Sequence, residues 1–277
     1  MRHGSGNLSY DTISVTRLSP HIGAEIGNVD LTRPLGNRQV QEVHDALIEN
    51  GVIFFRDQPI DVPTLKSFGM LFGKLHIHPL RGLDGHPEVR KLHADENSKH
   101  VSGEEWHTDM SCDPVPPMGS ILYLHTLPPI GGDTIFASMY AAYEALSPRM
   151  QAYLEGLTAT HDGALAFGRF DPSKKYPIAA HPLITRHPVT KRKLIYVNRG
   201  FTARINELPP GESAAVLAFL YQHLEKPDFQ VRFTWRKHSI AFWDNRCTQH
   251  LAIWDYYPNV RSGYRVQVEA DRPPIAA

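Results

Sequence analysis

The stretch Arg261-Ser262-Gly263-Tyr264-Arg265-Val266-Gln267-Val268 decides the fold class of this chain, because its side chains change character with period 2. Tyr264, Val266 and Val268 share one parity; Arg261, Arg265 and Gln267 share the other. Successive side chains of a strand point to opposite faces. The pattern therefore predicts a strand with valines packed on one side and two arginines on a polar interior face. Four residues of strand cover roughly 13 Å at about 3.3 Å each. That spacing suits two separate anions, each held by a planar bidentate fork, better than one small carboxylate shared by both arginines.

Upstream lie Trp243-Asp244-Asn245-Arg246-Cys247-Thr248-Gln249-His250 and, much earlier, Trp106-His107-Thr108-Asp109. If Trp106 to Asp109 is extended, His107 and Asp109 project from one face and offer an imidazole and a carboxylate to one point. His250 would add a second imidazole and complete one face of an octahedron. Two His and one carboxylate with three open positions suit non-haem Fe(II), whose open sites take a co-substrate and O₂. An isolated His-x-Asp is weak in a chain with 16 histidines. Its register with His250 and the two arginines gives it weight.

The rest of the chain reads as many short strands with a few inserted helices. Strands are expected at Val52–Phe55, Gly119–Leu127, Leu183–Arg186, Lys193–Val197, Gln230–Phe233, Ser239–Trp243 and Tyr264–Ala270. Val40, Val43 and Leu47 recur at helical spacing, with Gly51 as the stop. Asp61 with Pro63 starts a second helix that ends near Phe72-Gly73. Ser138 and Ser147 are N-caps for two short helices, the second with Pro148 at its first position. A further helix spans Pro210 to Leu224. This mixture predicts a mostly β fold with flanking helices around a double-stranded β-helix, or jelly-roll, core. Residues 1–10 are expected to be a flexible tail and 11–277 a single domain. The charged stretch from Asp84 to Gly103 reads as a long loop beside the metal motif, a place where lids occur.

In this setting the chain resembles the taurine dioxygenase (TauD/TfdA) group of Fe(II)/2-oxoglutarate-dependent dioxygenases, from about Ser14 to Pro273. The resemblance rests on landmarks in a fixed order. They begin with Ile22-Gly23-Ala24-Glu25-Ile26, Asp30-Leu31-Thr32-Arg33-Pro34-Leu35 and Phe72-Gly73-Lys74-Leu75-His76-Ile77-His78-Pro79. Trp106-His107-Thr108-Asp109, Gly131-Gly132-Asp133-Thr134 and Arg186-His187-Pro188-Val189-Thr190 follow. Val197-Asn198, Gly200-Phe201-Thr202 and Trp243-Asp244-Asn245 lead to His250. The resemblance implies that His107, Asp109 and His250 bind iron and that Arg261, eleven past His250, holds the distal carboxylate of 2-oxoglutarate. It implies that Thr134 bonds the carboxylate beside the keto group, and that Arg265 meets the substrate anion. His78, Arg81, Phe167 and Phe201 would line the substrate pocket, with Leu165 as a further wall.

The implied chemistry is oxidative decarboxylation of 2-oxoglutarate by O₂ to succinate and CO₂, coupled to hydroxylation of a substrate C–H. Because Asp109 is present, hydroxylation rather than halogenation is expected. Arg81, Gly103 and Ala166 stand where taurine enzymes carry tyrosine, asparagine and serine. Those changes favour a somewhat larger and more apolar anion: a sulfonate, a sulfate ester or a carboxylate such as an aryloxyalkanoate, with taurine itself still admitted. Bland readings stand beside these roles. Arg265 could be a structural arginine paired with an acid, and Gly131-Gly132-Asp133 could be a turn. A zinc hydrolase could use the same two His and one Asp, though it has no need of Arg261 and Thr134. A non-catalytic jelly-roll anion sensor would not need three metal ligands.

Composition narrows the partners. The 277 residues carry 29 Lys+Arg and 29 Asp+Glu, so there is no overall field to draw nucleic acid or an anionic membrane. Two cysteines, Cys112 and Cys247, are too few for a disulfide scaffold and read as packing residues in a reducing compartment. No signal peptide or membrane span is visible, so a cytoplasmic enzyme is expected. The expected assembly is a homo-oligomer, dimeric or tetrameric, acting on a small anion.

Overall fold

The stretch with both arginines forms one strand, Arg261–Val268, in the computed structural model, which describes residues 10–80 and 82–277. In chain order the first elements are β1 (Ser14–Arg17), β2 (Ala24–Gly27), α1 (Asn37–Asn50), β3 (Val52–Phe55), α2 (Val62–Met70) and β4 (Arg90–Ala94). β5 (Gly119–Thr126), β6 (Thr134–Ser138), α3 (Met139–Glu144), α4 (Pro148–Leu154), β7 (Thr158–Asp162) and α5 (Gly163–Phe167) follow. Next come β8 (Ile178–Pro182), β9 (Ile184–Arg186), β10 (Lys193–Ile195), β11 (Thr202–Ile205) and α6 (Pro210–Leu224). The last are β12 (Gln230–Phe233), β13 (Ser239–Asp244), β14 (Thr248–Ala252), β15 (Arg261–Val268) and β16 (Ile275–Ala276).

A seven-stranded sheet in the order β1-β2-β3-β13-β5-β15-β4 forms one wall. A three-stranded sheet, β12-β6-β14, packs against its inner face. Phe54 of β3 stacks on Phe233 of β12 with centroids 3.8 Å apart, and Phe136 of β6 meets Trp243 of β13 at 5.6 Å. Such ring pairs contribute about 0.5–1.5 kcal/mol each beyond the area they bury. The outer face of the large sheet is closed by α1 and α2, whose Val43, Leu47, Leu65 and Phe68 join Phe55, Phe242, Val266 and Val268 in one core. This is a jelly roll with flanking helices. No helix among the described residues is long and apolar enough to cross a membrane.

The local signals act as expected. Gly51, at φ 70°, ends α1 by sending its N–H to Leu47 O. Asp61, Ser138 and Ser147 each accept a backbone N–H at the start of their helices, a capping contact typically worth about 1 kcal/mol. Two expectations are corrected. The stretch from Asp84 to Gly103 is not simply a loop, because it contains β4, paired antiparallel with β15. Its inward side chains are Arg90, Leu92 and Ala94, and an inward arginine hides the alternation that would mark a strand. The His107-Thr108-Asp109 segment is in no strand: His107 makes a single bridge to His250, and Asp109 already begins a turn. Residues 1–9 of the expected tail lie outside the described residues.

Candidate metal centre and anion sites

The bridge is what assembles the centre. His107 N donates to His250 O at 3.1 Å, and His250 N donates to His107 O at 2.9 Å. Directly opposed residues of an antiparallel pair project to one side, and the two rings lie 4.1 Å apart. His250 sits on β14 opposite Phe136, walled by Phe136 and by Trp243 at 4.7 Å. Gly200 packs so closely that a Cβ there would come within 2.9 Å of His107 Cβ. The ligand atoms of His107, Asp109 and His250 all lie within 4.8 Å of one another, and all three residues are buried.

The donor chemistry of these atoms fits a divalent cation. His107 Nδ1 lies 2.8 Å from Glu105 O. A carbonyl only accepts, so Nδ1 carries the proton and Nε2 of the neutral ring is left with a lone pair. That lone pair stands 3.4 Å from Asp109 Oδ1, acceptor facing acceptor, an arrangement a cation resolves. His250 Nδ1 is buried without a partner. Burial, and then the neighbouring His107, hold the His250 pKa well below the usual histidine range, which keeps the imidazole neutral as a ligand must be.

Asp109 is held from two sides. Arg265 Nη1 donates to Oδ1 at 2.8 Å and Ser120 Oγ donates to Oδ2 at 2.7 Å. Ser120 Oγ also accepts from Asn245 Nδ2 at 3.0 Å and Gln267 Nε2 at 3.2 Å. With both acceptor positions used, its proton is committed to the carboxylate. Burial alone would raise the Asp109 pKa, but the Arg265 charge outweighs it and holds the group well below the usual carboxylate range.

Arg261 and Arg265 go separate ways, as their spacing predicts. Arg261 is buried; its Nε donates to Gly132 O at 3.0 Å and Nη2 to Thr134 Oγ1 at 3.3 Å. Thr134 Oγ1 also accepts from Trp235 Nε1 at 3.0 Å. A hydroxyl with both lone pairs engaged has its own proton free to donate, and that proton suits a carboxylate. Gly131 and Gly132 both have positive φ, and Gly132 N bonds Asp255 Oδ1 at 2.8 Å. The glycine pair, in left-handed backbone, thus leads into Thr134 at the start of β6.

A cleft of about 600 Å³ opens in front of His107, Asp109 and Arg265. His78, Phe167 and Phe201 line it, as does Leu165. The two phenylalanines pack edge to face at 5.3 Å, and Phe167 meets the His78 ring at 5.2 Å. Gly103 also lines the cleft; a Cβ there would sit 3.1 Å from His107 Cε1. Arg81 lies outside the described residues. Cys112 and Cys247 are buried, unpaired packing residues. Sequence reading missed Arg90, Ser120 and Trp235. Ser120 and Trp235 carry no local motif, and Arg90 was concealed by the apparent loop.

A second group, His187, Asp244 and Cys247, also clusters, but its valences are filled. His187 Nδ1 accepts from Val189 N and Thr190 N, its Nε2 donates to Asp244, and Arg246 grips Asp244 with two bonds. It is a structural tie.

The chain is similar to known proteins over most of its length. A family model, taurine catabolism dioxygenase TauD, TfdA family, matches residues 14–267. The alpha-ketoglutarate-dependent sulfonate dioxygenase of Saccharomyces cerevisiae is 34% identical over 94% of this chain and 68% of its own length. The alkylsulfatase of Acinetobacter baylyi is 30% identical over 88% of this chain and 81% of its own. The crystal structure of a taurine dioxygenase from Burkholderia xenovorans superposes with a TM-score of 0.84 at 36% identity, covering 96% of this chain and 97% of that one.

Proposed function

The chain belongs to the taurine catabolism dioxygenase TauD, TfdA family, and from that membership we propose that its cleft hydroxylates a small to medium organic anion: a sulfonate, a sulfate ester or a carboxylate. It is an Fe(II)- and 2-oxoglutarate-dependent dioxygenase. His107, Asp109 and His250 are the iron ligands in this reading. The observation that carries it is the facing pair of acceptors, His107 Nε2 and Asp109 Oδ1, 3.4 Å apart and buried. When bound, iron and 2-oxoglutarate supply the oxidising chemistry, with succinate and CO₂ as co-products.

The protein's own part is placement. Glu105 O fixes the His107 tautomer and Ser120 fixes the Asp109 carboxylate. Arg261 offers the co-substrate's far carboxylate a guanidinium, and Thr134 offers a hydroxyl proton to a nearer one. Phe167 and Phe201 give the substrate's carbon skeleton an apolar wall and exclude water from the reacting C–H. Arg265 and His78 meet the substrate's anionic end, and Arg81 is assigned to the same pocket. Residues 11–277 act as one domain. Two unpaired cysteines support a cytoplasmic enzyme, and the expected assembly remains a homo-oligomer that engages neither nucleic acid nor membrane. The test is succinate release in the presence of iron and 2-oxoglutarate, screened across sulfonates, sulfate esters and carboxylates. If none of them accelerates 2-oxoglutarate turnover, the proposed substrate class is wrong.

A further inference from the structure

Arg90 is a half-buried arginine that no carboxylate pairs with among the described residues. It stands directly opposite Arg265 in the antiparallel β4–β15 register. Opposed residues share a face with Cβ atoms about 4.5–5.5 Å apart, and like charges in that arrangement destabilise a sheet. Arg265 has Asp109 as a partner; Arg90 has only the neutral ring of His78, with Nη1 3.2 and 3.3 Å from the two ring nitrogens. Burial, and then the charge of Arg265, push the Arg90 pKa down. The Nε atoms of both arginines are buried with no hydrogen-bond partner.

Asp109, the carboxylate nearby, is already engaged by Arg265 and Ser120. His78 Nδ1 accepts from Leu80 N at 3.0 Å, so the proton of the neutral ring is on Nε2. Burial, then Arg90 and Arg265, hold His78 far below the usual histidine range, and the ring adds an N–H rather than a charge. The two guanidinium groups and an imidazole N–H therefore lie together beside the cleft that His78 and Arg265 line, and the Nε hydrogens of both arginines lack an acceptor. Leaving a buried donor unsatisfied costs about 1–3 kcal/mol, more when it is charged. A fold keeps such a cluster when an anion completes it.

We infer that Arg90 is a second anion-binding arginine of the substrate site, and that with Arg265 and His78 it selects a terminal –SO₃⁻ group over a carboxylate. A carboxylate is planar and has two oxygens, whereas a sulfonate or sulfate ester end has three, directed apart. Three donor groups on three residues match the second geometry. The inference rests on the proposed dioxygenase reading for the placement of substrate, and it deepens that reading by naming the head group.

The experiment compares the wild-type protein with Arg90→Gln and Arg90→Lys, loaded with Fe(II) and 2-oxoglutarate without oxygen. Pentane-1-sulfonate, pentyl sulfate and hexanoate are titrated by calorimetry, and apparent KM values are then measured in air. The wild type should bind the two –SO₃⁻ compounds more tightly than hexanoate, and comparison of those two tells sulfonate from sulfate ester. Arg90→Gln should weaken their binding by about tenfold to a hundredfold, the loss expected for charge-assisted bonds. Hexanoate affinity and the KM for 2-oxoglutarate should barely move. Arg90→Lys should restore part of the –SO₃⁻ affinity. Without anion, Arg90→Gln should melt no lower than wild type, because it relieves a like-charge contact; a structural arginine would do the opposite. A lowered melting temperature with unchanged anion affinity overturns the inference, as does a wild type that binds 2-oxoglutarate but ignores both –SO₃⁻ compounds. A protein that never binds 2-oxoglutarate fails the dioxygenase reading instead, and the anion titration still judges Arg90.

Discussion

Removing Arg265 should destabilise the metal-free protein more than the metal-loaded one. Its Nη1 lies 2.8 Å from Asp109 Oδ1, and the two side chains are only 6% and 4% exposed. Truncating one member of a buried pair leaves the other charge uncompensated, at a cost of about 3–5 kcal/mol. Unfolding entropy of about 2.1 cal/mol/K per residue over 277 residues gives about 0.6 kcal/mol/K. Arg265→Ala should then lower the melting temperature by about 5–9 °C when metal is removed by chelator. A divalent ion on His107, Asp109 and His250 would supply the cation that Arg265 no longer supplies, so the deficit should shrink by more than half when Mn(II), a redox-stable stand-in, is added. Thermal denaturation of both proteins with chelator and with Mn(II) measures this. Arg261→Ala is the control: its partners are Gly132 O and Thr134, so its deficit should not depend on metal. A metal-free deficit below about 1 °C, or one that Mn(II) leaves unchanged, would refute the account of Asp109.

Three other outcomes are expected. His250→Ala removes one of three proposed ligands and should abolish iron-dependent succinate release; full activity with stoichiometric iron would move the distal ligand elsewhere. Arg261→Ala should raise the apparent KM for 2-oxoglutarate by about tenfold to a hundredfold, and Arg261→Lys should recover only part of it for want of the planar fork; steady-state kinetics at saturating substrate decides. Burial pushes the Asp113 carboxyl up to about 6, so the folded state binds more protons than the unfolded one between about pH 4 and 6. Stability from this group is fully present at low pH and is lost as pH rises through that window. Asp113→Asn should therefore match wild type near pH 4 and exceed it above pH 6, by about 1 kcal/mol once partial solvent access is allowed for. Urea unfolding of metal-free protein across that range would show no widening gap if the carboxyl is unperturbed.

The parts of the fold legible in the sequence are those where one face is uniformly apolar or one residue has a stereochemical duty. β15 announces itself through Val266 and Val268, α1 through Val43 and Leu47 with Gly51 behind them, and α2 through Asp61 and Pro63. The metal triad was legible through the company His107-Thr108-Asp109 keeps with His250 and the two arginines and through the family resemblance, since the His-x-Asp spacing by itself is weak. It did not reveal that the segment is held by one bridge to His250 instead of a strand. β4 was illegible for a physical reason: its inward face begins with Arg90, so a strand at the edge of the large sheet looks like a charged loop. Ser120 was invisible because its role is set by Asn245, in the turn after β13, and Gln267, on the neighbouring strand β15, both far away in sequence. Thr134 stood out as the end of Gly131-Gly132-Asp133-Thr134, but the freedom of its proton follows only from Trp235 and Arg261.

The charges of the site also imply an order of events. Asp109 is the carboxylate at the centre; buried Arg265 is bonded to it, half-buried Arg90 lies within reach of its charge, and the imidazoles of His78 and His250 are neutral. Without metal, Arg265 compensates Asp109, and its charge is already engaged when an anion enters the cleft. A divalent cation beside Asp109 adds positive charge and frees part of Arg265's attraction for the substrate's anionic end. Metal and substrate anion should therefore strengthen each other's binding, by the same factor in both directions. Arg261, bonded to Gly132 and Thr134 and not to Asp109, lies outside this exchange, so the coupling separates the two anions that the alternation of β15 first distinguished.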